Sequence, residues 1–62
     1  MTVSDILKVL AGFVIVYNRD TDIEYLSWEE EIPPYLFDMK VFAVQAEINE
    51  NGIPISVVEC VN

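Results

Sequence analysis

The residues of this chain that could do chemistry are its carboxylates. Asn18-x-Asp20-x-Asp22-x-Glu24, with Glu29 at the twelfth position from Asn18, imitates the alternating oxygen spacing of a calcium-binding loop. The sixth position, where the sharp bend wants glycine, holds Ile23, and strand-like sequence replaces the helices that should flank the loop. The spacing therefore reads as a solvated hairpin turn, and no metal is expected. Catalysis is also poorly equipped. Without histidine, a general base near neutral pH would have to be a carboxylate of raised pKa, a perturbed lysine or Cys60, and none lies in a recognisable motif. Cys60, on a strand-like segment, reads as a small buried hydrophobe. The sequence predicts no enzyme and no cofactor.

The carboxylates are better suited to display. Eleven acidic residues against three basic ones give a net charge of -8 and a pI near 4.1. Lys8, Arg19 and Lys40 are too widely spaced to make the cationic footprint that phosphate binding requires, so direct nucleic-acid binding is not expected. A basic protein partner is. Carboxylates interspersed with Tyr17, Tyr25, Trp28 and Tyr35 suit a basic groove that otherwise holds phosphates, the aromatics acting as desolvated anchors. The candidate partner-binding set is Asp20, Asp22, Glu24, Glu29, Glu30, Glu31 and Tyr35, with Glu47, Glu50 and Glu59 adding charge on a second hairpin. Acidity of this kind also keeps a small apolar chain in solution. For Trp28, ordinary core packing is the preferred reading.

Positioning falls to a single small domain over residues 1–62. A chain this short buries only about 60% of its unfolded surface, so its stability is marginal. The 53% hydrophobic content nevertheless excludes a disordered segment, which lacks the apolar surface to offset chain entropy. One cysteine cannot form an internal disulfide, which favours a reducing, cytosolic compartment. The apolar run Val9 to Tyr17 is too short to span a bilayer and lacks the basic leader of a secretory signal, so no membrane association is expected.

Thr2-Val3-Ser4-Asp5 fits a capping pattern, with Thr2 as N-cap and the Asp5 carboxylate near the positive end of the helix dipole, and Val3, Ile6, Leu7 and Leu10 share one face of a helix predicted from Val3 to about Ala11, with Gly12 as its stop. Phe13 to Tyr17 and Ile23 to Trp28 then flank the turn Asn18 to Asp22 as a hairpin. Pairing Tyr17 with Glu24 places Phe13, Ile15, Leu26 and Trp28 on one face, favoured here as the core face; a one-residue slip would group Phe13, Ile15, Tyr17, Ile23 and Tyr25 instead. Pro33-Pro34 ends the strand, and Tyr35-Leu36-Phe37 suits a single helical or 3₁₀ turn. Met39 to Ile48 and Ile53 to Val61 flank Asn51-Gly52, the signal for a two-residue type I′ turn. That turn pairs Ile48 with Ile55, Ala46 with Val57, Val44 with Glu59 and Phe42 with Val61.

The resulting expectation is an α+β domain: one N-terminal helix packed on a four-stranded antiparallel sheet made of two β-hairpins. One helix covers one sheet face, and both faces carry apolar residues. Val14, Val16, Val41, Ala43 and Val58 are expected to be left uncovered and to be buried by self-association, most simply as a symmetric homodimer.

Val3-x-Asp5-Ile6-Leu7, the Val14 to Tyr17 strand before Asp-rich turn residues, and Ile32-Pro33-Pro34-Tyr35-Leu36-x-Asp38-Met39-x-Val41 together resemble small acidic accessory proteins of bacteriophages and mobile elements. Some such proteins inhibit host defence systems, among them anti-CRISPR proteins that mimic nucleic acid. The resemblance implies a stoichiometric inhibitor or adaptor; together with the acidity the expectation is one that blocks a basic surface of a host protein in the host cytosol, with a self-associating accessory protein as the alternative. It assigns no role to any single residue.

Overall fold

A computed structural model describes residues 1–62. Helix α1 (Val3–Leu7) is followed by strands β1 (Phe13–Asn18) and β2 (Ile23–Leu26), a 3₁₀ turn (Pro34–Asp38), and strands β3 (Lys40–Ile48) and β4 (Pro54–Val61). Thr2 caps the helix as expected, its Oγ1 accepting from the Asp5 N–H at 3.3 Å, and Asp5 Oδ2 completes a capping box by accepting from the Thr2 N–H at 3.0 Å. The helix stops at Leu7, short of the expected Ala11. Val9 and Leu10 both donate to the Ile6 carbonyl in a closing turn, and Gly12, at φ +81°, swings the chain into β1. So short a helix is held by packing, with Val3 fully buried and Ile6, Leu7 and Leu10 set against the core.

The sheet is mixed, which corrects the antiparallel expectation. Its order is β2-β1-β4-β3, and the two central strands, β1 and β4, run parallel. The cause is the connection after β2. Instead of turning back at once, the Ser27 to Met39 segment travels the length of the sheet over one face, burying Leu36, and delivers β3 to the far end. There Thr2 bridges Lys40, with Val3 N–H bonded to Met39 O and Val41 N–H to Met1 O, both at 3.0 Å. The β3–β4 hairpin then inserts its second strand beside β1.

The first hairpin adopts the expected register, Tyr17 opposite Glu24, and thus keeps Phe13, Ile15 and Leu26 on one side. The second is one residue out. Ile48 pairs with Pro54, Val44 with Val58 and Ala43 with Glu59, because the loop has three residues rather than two. Asn49 O accepts from the Gly52 N–H, Gly52 sits at φ +78°, and Asn49 Oδ1 takes the N–H groups of Asn51 and Ile53, each at 2.9 Å. This is a turn closed by a left-handed glycine, and its odd length flips the faces of β3 against β4. A bulge at Phe42 resets the alternation, so that Val41 again faces Cys60's side.

The core lies on the face opposite the one expected. Val14, Val16, Val58 and Cys60 of the sheet are buried with Val3 and Leu36, and Val41 packs on them. Val14, Val16 and Val58, expected to be uncovered, are thus closed in by α1 and the crossover of their own chain, while Ala43 lies on the opposite side, across from Glu59. The strand sequences alone could not choose the face, because both are apolar; the crossover chose it by carrying Leu36, Ile32 and Phe37 over the valines.

Candidate partner-binding surface

The uncovered face is built in rows across the strands. Leu26, Ile15 and Val57 form one row, in which Ile15 is buried by its neighbours and the other two are half-buried; beside them Phe13 stands next to Ile55. Trp28, just beyond β2, meets Phe13 edge to face with ring centroids 5.1 Å apart. Phe13 and Trp28 are 40% and 41% exposed, so Trp28 lies at the surface and not in the core, where the sequence places it. These two rings, Ile53 and Ile55 line a depression of about 290 Å³ closed by Asn49 and Asn51. The next row, Glu24, Tyr17 and Glu59, brings two carboxylates beside the apolar patch, and Glu47 opposite Ile55 brings a third. At the far end the Arg19 guanidinium lies 4.1 Å from the Phe42 ring centroid, a cation–π contact.

The structure separates the remaining candidate residues into two groups. Asp20 and Tyr35 meet in a polar notch of about 360 Å³ together with Asn18, Thr21, Met39 and Asn62, because the crossover returns Tyr35 to the β1–β2 turn. Asp20 Oδ2 is engaged by the Asn62 N–H at 2.8 Å, and Asn18, buried, accepts from the Asp20 N–H at 3.0 Å. Asp22, in the left-handed region at φ 58°, accepts from the Tyr17 hydroxyl, which holds the Tyr17 pKa above its ordinary value. Tyr35 Oη is 3.5 Å from Tyr25 Oη, and this contact raises the Tyr25 pKa. Glu29, Glu30 and Glu31 are exposed near Trp28, with Glu30 accepting from the Leu26 N–H at 3.1 Å. Glu29 to Glu31 therefore do not join Asp20, Asp22 and Tyr35 in one site.

In the calcium-like spacing Asn18 and Asp20 accept from the Asp20 and Asn62 N–H groups, and no three His, Cys, Asp or Glu side chains are gathered into one group. Burial pushes the Cys60 thiol pKa up, and its S–H points to Tyr17 O at 3.4 Å, which makes it a weak nucleophile. No helix is long and apolar enough to cross a membrane.

Sequence reasoning missed the centre of this surface. Phe13, Ile15, Leu26 and Trp28 are legible as one face of the first hairpin, but that face is expected in the interior, and nothing local sets Ile55 and Val57 beside it. Compared with protein-family models, curated proteins and solved structures, the chain has no match in any of the three.

Proposed function

We propose that this protein is a non-enzymatic acidic binding protein, a phage-type inhibitor that blocks a basic, nucleic-acid-binding surface of a host protein in the cytosol, as an anti-CRISPR or other anti-defence protein does. The observation that carries the reading is the uncovered sheet face, where Phe13, Trp28 and Ile55 are flanked by Glu24, Glu47 and Glu59. An apolar centre with carboxylates beside it matches a cationic surface that has its own apolar anchor points: the rings supply desolvated contact, and the charges steer approach and reject anionic competitors. The overall charge of -8 extends the same preference beyond the contact.

The test is affinity capture from bacterial lysate followed by rebinding of the purified partner. The reading expects a one-to-one complex with a basic protein that salt weakens, that duplex DNA or RNA displaces, and that Trp28→Ala and the charge reversal Glu24→Lys/Glu47→Lys/Glu59→Lys both impair. Replacing Glu29, Glu30 and Glu31 with glutamine should slow association as well, since this cluster adjoins Trp28. A complex indifferent to salt and to all these substitutions would refute the reading.

A further inference from the structure

We propose that the free edge of β3 is a self-association site, at which a second copy of this chain pairs antiparallel about a two-fold axis through Ala46 and joins the two sheets into one of eight strands. The pairing is made by the edge of the sheet and touches the uncovered face only where Gln45 meets Glu47.

Strand β3 is an edge strand of nine residues. Asn49 turns its N–H inward to Ile53 O at 3.0 Å, so strand alternation turns Glu47, Gln45 and Ala43 toward β4. The N–H and C=O groups of Val44, Ala46 and Ile48 are then left facing outward with no strand beside them. The Phe42 bulge resets the pattern, and Val41 also faces outward, where Met1 O takes its N–H. Met1 to Val3 thus bond to the edge at Met39 to Val41, and no strand of the sheet lies beside Val44 to Ile48. Natural edges are commonly blunted by charge, proline or a bulge; in β3 the bulge at Phe42 lies before the open stretch, and Glu47 is the one charge within it. Here the outward positions carry Val, Ala and Ile, with Val44 46% and Ile48 74% exposed on the side of Val58, beyond the cover of α1 and the 3₁₀ turn.

The register follows by elimination. An axis at Val44 sets Ile48 of the second copy opposite Lys40, which Thr2 bridges; an axis at Gln45 sets Asn49 of the second copy opposite Val41, whose N–H Met1 O takes; and an axis at Glu47 sets two like charges directly opposite. With the axis at Ala46, Val44 meets Ile48 of the second copy twice, which covers both exposed apolar side chains. Gln45 meets Glu47 of the second copy twice, an amide donor facing a carboxylate acceptor. The three outward residues of each strand exchange hydrogen bonds. Stacking the uncovered faces is the less favourable way to self-associate, because it would bring Glu24, Glu47 and Glu59 of both copies together.

Sedimentation equilibrium of the wild type at tens of micromolar should give about twice the 7.1 kDa chain mass. Ala46→Pro removes only an outward N–H, a position where an edge strand tolerates proline, and should halve the mass while far-UV circular dichroism stays unchanged. Under mild oxidation Ala46→Cys should give a disulfide-linked dimer, since Cα atoms about 5.5 Å apart in such a pair fall within disulfide reach. Gln45→Cys alone should not cross-link, whereas Gln45→Cys combined with Glu47→Cys should. A monomeric wild type overturns the proposal, as does a dimer that survives Ala46→Pro with the fold intact. If Ala46→Pro fails to fold, the cysteine variants decide: cross-linking through Gln45→Cys but not Ala46→Cys overturns the register and the proposal with it.

Discussion

Phe13 and Trp28 pack edge to face, their ring planes 79° apart, on the side of the sheet that no helix covers. The contact makes the lone tryptophan a reporter of that face. Its fluorescence should be quenched more strongly by caesium than by iodide, because Glu29, Glu30 and Glu31 adjoin it and the chain is anionic. Equal quenching by the two ions, or quenching by neither, would contradict this placement.

Leu36→Ala should abolish cooperative folding. Removing a buried leucine costs about 2–5 kcal/mol, a large share of the stability of so small a domain, and Leu36 is fully buried between the crossover and the sheet. Val58→Asp should unfold the chain rather than release a folded monomer, since Val58 is core and not interface. Thermal melts by circular dichroism distinguish the two results.

Acid and alkali should act through different groups. Hydrogen bonds from Thr2 hold the Asp5 pKa below that of a free aspartate, so its contribution is present above the unfolded pKa and is lost as pH falls through the folded value. Asp5→Asn should lower the melting temperature at neutral pH and flatten the acid limb of the stability profile. Tyr17 behaves in the opposite sense: its bond to Asp22 raises its pKa above 10.0, a contribution complete below that value and lost as pH rises through the folded pKa. Asp22→Asn should shift one tyrosine of the ultraviolet titration back toward lower pH.

Gly52→Ala should destabilise by about 1 kcal/mol, the cost of placing a side chain at φ +78°, although a Cβ there meets no atom within 4 Å. Denaturant melts measure the loss. An unchanged midpoint would mean that the loop adopts a different turn.

The sequence made local features legible and left the global ones open. Thr2 and Asp5, and Tyr17 opposite Glu24, were readable because each depends on neighbours a few residues away. The second hairpin was located correctly but misregistered, since Asn49 recruits Asn51 and Ile53 and lengthens the loop by one residue. Strand order and the covered face depend on where Leu36 lands, and nothing local to Pro33-Pro34 records that the chain will cross the sheet rather than turn beside it. Of the candidate binding residues, Glu24 and the cluster Glu29 to Glu31 lie near the apolar face; Asp20 and Tyr35 were grouped with them by composition but occupy a separate notch.

The parallel pairing of β1 with β4 sets the tempo of folding. Each hairpin can close locally within microseconds, yet neither has a covered face until Phe13 finds Ile55 and Val16 finds Val58 across most of the chain length. Loop closure must precede that reward, so folding should be slow for a chain of this size, on the order of milliseconds or longer. Its transition state should contain the docked central strands. Substitutions at Val16 and Val58 should then slow folding, whereas those in the Asn49 to Ile53 loop should act on unfolding if that loop closes late.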